Sequence, residues 1–214
     1  MPYEIKPLAC DPTAIKGMSE RLIVSHYQNN YGGAVQRLNA ITKELAELDF
    51  SSAAIFVING LKREELIAMN SMILHEIFFA SLGECGEPEG ALRDALIRDF
   101  GSISAWAAEF SAMGKAQRGG SGWVLLTSSP RDRRLVNQWA MDHSTTLAGA
   151  QPILALDMYE HSYHIDYGAP GGRLCRCIHV GDQLAERRRG IRRTGARKLT
   201  VPRAADPREE AMHS

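Results

Sequence analysis

The sequence predicts an α+β protein: an N-terminal helical hairpin domain followed by a C-terminal α/β domain with a small three-stranded antiparallel sheet. Three observations carry that expectation. Apolar residues recur at helical spacing through most of the first 80 positions. Three short strand-like runs cluster between residues 123 and 156. A loop rich in glycine, with Gly83, Gly86, Pro88 and Gly90, separates the two patterns. The expected boundaries are 1–86 for the hairpin, 87–168 for the α/β domain and 169–214 for a basic tail.

Residues 1–13 hold Pro2, Pro7 and Pro12 and read as extended chain. Ile15, Met18, Leu22, Ile23 and His26 then follow a 3.6-residue period. Gly32-Gly33 interrupts it, and Val35, Leu38, Ile41, Leu45 and Leu48 mark a second amphipathic helix. Residues 50–60 read as a connection, and a third helix is expected over 62–80 with Leu66, Met69, Ile73, Leu74, Ile77 and Phe78 on its core side. His26 and His75 both lie in apolar patterns, where a histidine is either a hydrogen-bonded core residue or a ligand. Helices over 91–100 and 103–113 come next, split at Gly101-Ser102, with Ser102 placed to cap the second. The strand-like runs are 123–127, 134–140 and 152–156.

The third run ends on Asp157, four residues before His161. If a helix starts there, the spacing stacks both side chains on one face, where a carboxylate and an imidazole can share a first-row metal ion. The same pattern also fits an aspartate that caps a helix with a histidine further along.

Composition narrows the classes. The 214 residues carry 25 Lys plus Arg against 25 Asp plus Glu, so the formal charge is zero. That argues against a nucleic-acid or acidic-membrane partner. No apolar run approaches the ~20 residues of a membrane span. Met1-Pro2-Tyr3-Glu4-Ile5-Lys6 has no basic stretch leading into an apolar one, so a cytoplasmic location is expected. The four cysteines, Cys10, Cys85, Cys175 and Cys177, form no C-x-x-C pair, so the usual zinc-ribbon spacing is missing.

Five pieces line up in order with one family. They are His26 with Val35 and Asn39 downstream; Asn70-x4-His75-x2-Phe78-Phe79; Phe100-Gly101-Ser102; Gly120-Ser121-Gly122-Trp123; and Asp157-x-x-Glu160-His161-x-Tyr163. On these the chain resembles the iron/manganese superoxide dismutases from about Tyr3 to Tyr167. The resemblance implies metal ligands at His26, His75, Asp157 and His161. It implies one Fe or Mn ion per subunit, with iron slightly favoured, and superoxide as substrate. The reaction would be disproportionation to dioxygen and hydrogen peroxide through alternating reduction and oxidation of that ion. A donor set of three imidazoles and one carboxylate suits either metal. The alternative is a metal-binding homologue with weak or no activity.

The departures from the family lie around those ligands. Ala34 stands where the family has a tyrosine at the substrate channel, leaving Tyr27 or Tyr31 as a replacement. Ser71 stands where iron enzymes carry a glutamine that hydrogen-bonds the metal-bound solvent, and His143 is the candidate for that role. Trp123 keeps its place in the aromatic surround, while Tyr159 replaces a tryptophan. The family's dimer implies that Glu160 reaches the partner's ligand histidine. Asn30 and His164 replace a histidine and a tyrosine that meet across that interface, next to Tyr163. A homodimer or a dimer of dimers is therefore expected.

The tail resembles nothing in the family. The cluster Arg187-Arg188-Arg189-Gly190-Ile191-Arg192-Arg193 lacks apolar periodicity and reads as a solvated, disordered segment rather than a nucleic-acid site. One choice of codons for Gly172–Arg187, shifted by a base, spells a segment resembling the family's closing helix. A frameshift near Ala169 is the origin this suggests.

Overall fold

The computed structural model describes residues 1–83, 87–117 and 121–168. The expected boundary at 86/87 abuts residues outside that set. The tail over 169–214, with its expected disorder and frameshift origin, lies outside it altogether.

The chain opens with α1 (Glu20–Ser25), capped by Ser19, whose hydroxyl accepts from the Leu22 amide. It runs without a break into a π-helical segment (His26–Tyr31) and then α2 (Gly32–Glu47). The expected interruption at Gly32-Gly33 is not there. Gly32 is itself helical (φ −59°, ψ −41°), and Tyr31, Ala34 and Val35 continue the buried face across the pair. Helical glycine costs roughly 1 kcal/mol against alanine, which that burial outweighs. Gly32 also lies under Ile5: a β-carbon there would sit 3.5 Å from its Cδ1.

The connection to the next helix is shorter than the sequence suggests. Asp49 accepts from the Ser51 amide and from both the Ser51 and Ser52 hydroxyls, closing a tight turn. The third helix, α3 (Ile55–Ala80), starts directly after it and carries Asn59 and Gly60 within its first turns. The apolar residues that begin it, Ile55 and Phe56, are exposed, so no amphipathic pattern announces the start. Helices α2 and α3 pack together as the hairpin.

The second half has α4 (Gly90–Phe100) and α5 (Ile103–Ala116), the latter capped by the Ser102 hydroxyl through the Ala105 amide. Three strands follow: β1 (Trp123–Ser129), β2 (Arg134–Ala140) and β3 (Gln151–Asp157). They form an antiparallel sheet in the order β2-β1-β3. Strand β1 is central and its first five residues are buried, as expected of a strand covered on both faces. Pro152, which lacks a ladder donor, sits on edge strand β3 next to a register shift at Leu126/Thr127.

The buried apolar residues of both halves form one contiguous core, with Leu22, Val35 and Phe78 from the helices and Trp123, Leu125 and Leu156 from the sheet. The α3 helix packs on β3. The end of β3 is thereby brought against the middle of the hairpin.

Candidate metal centre

Four side chains meet at that junction, each from a different element. The π segment presents His26 on its first residue. His26 still follows α1 in direction, its amide donating to the Leu22 carbonyl, and the wider π turn, with its extra residue per turn, shifts the positions after it. His75 comes from α3 and Asp157 from the last residue of β3. His161 lies in a short 3-10 turn, Glu160–Ser162, before α6 (His164–Tyr167). No α-helix begins at Asp157, which corrects the helical reading of the four-residue spacing. The turn brings His161 back instead. Its closing bonds run from the Ser162 hydroxyl to the Asp157 and Tyr159 carbonyls.

Asp157 Oδ2 is the centre of the cluster. It lies 3.1 Å from His161 Nε2, 3.2 Å from His26 Nε2 and 3.5 Å from His75 Nε2. One donor atom from each of the four residues falls within 4.8 Å of all the others. The side chains of His26, His75 and Asp157 are 0–1% exposed, while that of His161 is 28% exposed. Asp157 Oδ1 is turned away, accepting from the Tyr159 amide at 2.9 Å. His75 Nδ1 donates to the Ser71 carbonyl at 2.7 Å, which leaves its Nε2 as a lone pair. Nε2 of both His26 and His75 is buried with no hydrogen-bond partner among the described residues. Two orphaned nitrogens converging on a buried carboxylate are the arrangement an ion satisfies. The donor set fits iron or manganese.

The electrostatics point the same way. Burial pushes His26 below its ordinary value, and it pushes His75 down to about 3 with help from the neighbouring His26. Both imidazoles are therefore neutral, as ligation requires. Burial opposes the charge on Asp157, yet the imidazoles of His161 and His26 close to its Oδ2 hold its carboxyl well below the usual range.

Aromatic rings enclose the cluster. Phe78 and Phe79 lie 5.1 Å and 5.0 Å from His26, and Trp123 meets His75 edge-on at 5.2 Å. The register that pairs Trp123 with Asp157 explains this placement. Tyr159 stacks on His161 (5.4 Å, 14°) and on His143 (4.9 Å, 22°), so His161, Tyr159 and His143 form a column. Trp123 Nε1 donates to His143 Nδ1 at 2.8 Å, and Asn70 Nδ2 donates to the His143 carbonyl at 2.6 Å. An indole nitrogen only donates, so Nδ1 of the neutral His143 accepts and its Nε2 carries the proton. Burial lowers the His143 pKa and favours that neutral form.

The remaining candidates are placed as follows. Ser71 sits against His75 Nδ1. Ala34 is buried in α2. The Tyr31 hydroxyl accepts from the Lys6 amide and donates to Glu76, and the Tyr27 hydroxyl donates to the Lys6 carbonyl. Tyr163 is buried, Asn30 is partly exposed, and Glu160 and His164 are exposed. Sequence reasoning quoted Asn70 within a motif but gave it no role, and it gave Glu76 none. The only available pointers were Asn70's place one turn before a histidine and Glu76's place directly after it.

A sequence profile described as "Iron/manganese superoxide dismutases, C-terminal domain" matches residues 88–171. "Superoxide dismutase [Fe]" of Cupriavidus metallidurans is 70% identical over 169 residues, covering 79% of this chain and 86% of the relative. "Superoxide dismutase [Mn] 2" of Haloferax volcanii is 36% identical over 180 residues, 80% of this chain and 86% of the relative. "Superoxide dismutase [Fe]" of Aquifex pyrophilus is 32% identical over 164 residues, 73% and 76% respectively.

Proposed function

The chain belongs to the iron/manganese superoxide dismutases, and from that premise we propose how its own residues divide the work of the reaction. It is a superoxide dismutase that uses Fe or Mn. Bound at the four-residue cluster, the metal supplies the alternating one-electron chemistry that converts superoxide to dioxygen and to hydrogen peroxide. Nε2 of His26, His75 and His161 and Oδ2 of Asp157 would hold it. The convergence of these four atoms within 4.8 Å is the observation that carries this assignment. The ion is iron, by analogy with the iron enzyme that is 70% identical over 169 residues.

His143, whose ring lies 6.1 Å from that of His75, would offer its Nε2–H as a proton donor to the reaction. Trp123 fixes that tautomer, and Tyr159 and Asn70 hold the ring in place. Tyr31 acts by positioning, because its hydroxyl is engaged by Lys6 and Glu76 and ties the π segment to α3. No helix among the described residues is long and apolar enough to cross a membrane. We place the protein in the cytoplasm.

The working form is a homodimer, with 1–86 and 87–168 as the domains that meet at the metal. Partial exposure of the ligand His161 supports this, since a partner covering that edge would complete its enclosure. Glu160 and His164 flank His161 on the surface, and Asn30 lies on the π segment that carries His26. Glu160 is assigned to the partner's His161, and Asn30 and His164 to each other across the interface. Sedimentation of Glu160→Ala tests this, with a shift toward monomer expected.

The deciding experiment is the dismutation rate of purified protein whose Fe and Mn content is measured on the same sample. Turnover proportional to metal is expected. A fully loaded protein without turnover would overturn the assignment of activity to this centre.

A further inference from the structure

The metal centre joins segments far apart in sequence, so something must hold α1 at the angle that presents His26. At the N-terminus of α1, Ser19 uses both of its donors on one carboxylate. Its amide donates to Asp166 Oδ2 and its hydroxyl to Asp166 Oδ1, each at 2.6 Å and 147 residues apart in sequence. The same Ser19 oxygen accepts from the Leu22 amide and caps the helix. One residue further on, the Tyr167 hydroxyl donates to the Gly17 carbonyl. Asp166 and Tyr167 belong to α6, which follows directly on the turn carrying His161, and α1 packs on that turn.

We propose that Asp166 is a positioning residue for the metal centre: a latch that fixes the start of α1 to the His161 segment and so sets the angle at which His26 meets Asp157. The inference rests on the metal assignment made above. Its physical basis is leverage. A single α-helical stretch, α1, connects Ser19 to His26, and backbone hydrogen bonds hold it, down to the His26 amide on the Leu22 carbonyl. A displacement at the cap is therefore transmitted to the imidazole. Bonds to an ionised carboxylate are stronger than neutral ones, and two on one residue fix direction as well as distance. Groups that orient ligands commonly change metal affinity by 10- to 100-fold when removed.

The test compares Asp166→Ala, Asp166→Asn and Asp49→Ala in the full-length, iron-loaded protein. Asp49 is the control, because it loses the same kind of exposed bonds, to Ser51 and Ser52, at the far turn of the hairpin. Two readouts are followed: the rate of iron transfer to an excess of chelator, and the electron paramagnetic resonance line shape of the ferric form. Asp166→Ala should release iron about tenfold faster and shift the line shape. Asp166→Asn, which keeps an oxygen acceptor for the Ser19 amide, should recover part of both, and it serves as the test if the alanine variant fails to fold. Asp49→Ala should match the unaltered chain. Unchanged release and line shape at Asp166, or equal effects at Asp49, overturn the proposal. If Asp157→Ala holds no metal while the Asp166 variants are indistinguishable from the unaltered chain, the latch fails and the metal centre stands.

Discussion

Asp157→Ala removes the one anion from the centre. Oδ2 is the atom that all three imidazoles share, at 3.1, 3.2 and 3.5 Å, and the side chain is fully buried. Removing one member of a buried charged set costs about 3–5 kcal/mol, or roughly 10²–10⁴ in affinity for a cation. A ligand present at about a thousand times its Kd stabilises the folded state by about 4 kcal/mol. An affinity loss of that size removes between about two thirds of this term and nearly all of it. For a chain of this size, each kcal/mol corresponds to about 2–4 °C in Tm, so the metal-dependent gain of about 8–16 °C should fall to about 5 °C or less. The assay is paired: elemental analysis of the purified variant, and thermal unfolding with and without added Fe(II) or Mn(II). The expected variant is metal-free as purified and has a Tm that rises by no more than about 5 °C on adding metal. Full occupancy, or a metal-induced rise equal to that of the unaltered chain, would refute the placement of the ion at this carboxylate.

Three further outcomes test the surroundings. His143→Ala should lower the rate per metal ion by about 10²-fold and leave the buried Trp123 indole without an acceptor, at about 1–3 kcal/mol; His143→Gln, which restores both an acceptor and a donor, should recover much of the rate. Equal rates in the alanine variant and the unaltered chain would remove His143 from the mechanism. Gly122→Ala should destabilise by more than about 3 kcal/mol in a denaturant titration. Its φ is +137° and an added β-carbon would stand 2.3 Å from the Ala140 carbonyl oxygen. Gly33→Ala, with nothing within 4 Å, should instead be neutral or stabilise by about 0.5–1 kcal/mol. The metal-free protein should lose stability as the pH falls from 6.5 toward 5. Folded His75, held down to about 3, binds fewer protons than the unfolded chain, whose histidines titrate at their ordinary 6.5. The contribution is therefore present above pH 6.5 and is lost at about 1.4 kcal/mol per pH unit below it, and buried His26 adds in the same direction. A urea midpoint that is flat or rises on acidification would contradict this.

Much of the architecture was legible in one dimension because each element buries a patterned face. Leu38 and Ile41 on α2, Leu74, Ile77 and Phe78 on α3, and the run from Trp123 to Leu126 on β1 all announce their period and all are buried. The failures fall where local pattern and burial part company. Ile55 and Phe56 are apolar but exposed, so the start of α3 was missed. Gly32-Gly33 looks like a breaker, yet helix packing carries the chain through it. The D-x-x-x-H spacing suggested one face of a helix, whereas a strand end and a 3-10 turn achieve the same closeness.

What the sequence by itself determined is the fold class and the identity of the four metal-binding candidates, because residue type and the motifs around each one are local properties. What only the tertiary structure decided is which atoms of those residues converge, and what surrounds them. Asp157 Oδ2 gathers nitrogens from residues 26, 75 and 161, and the proton on His143 is placed by an indole 20 residues earlier in the chain. The start of α1 is tied down by a carboxylate 147 residues away. These relations come from packing two helices against a sheet edge. No spacing along the chain encodes them, since their energies depend on burial and direction that exist only once the core has closed.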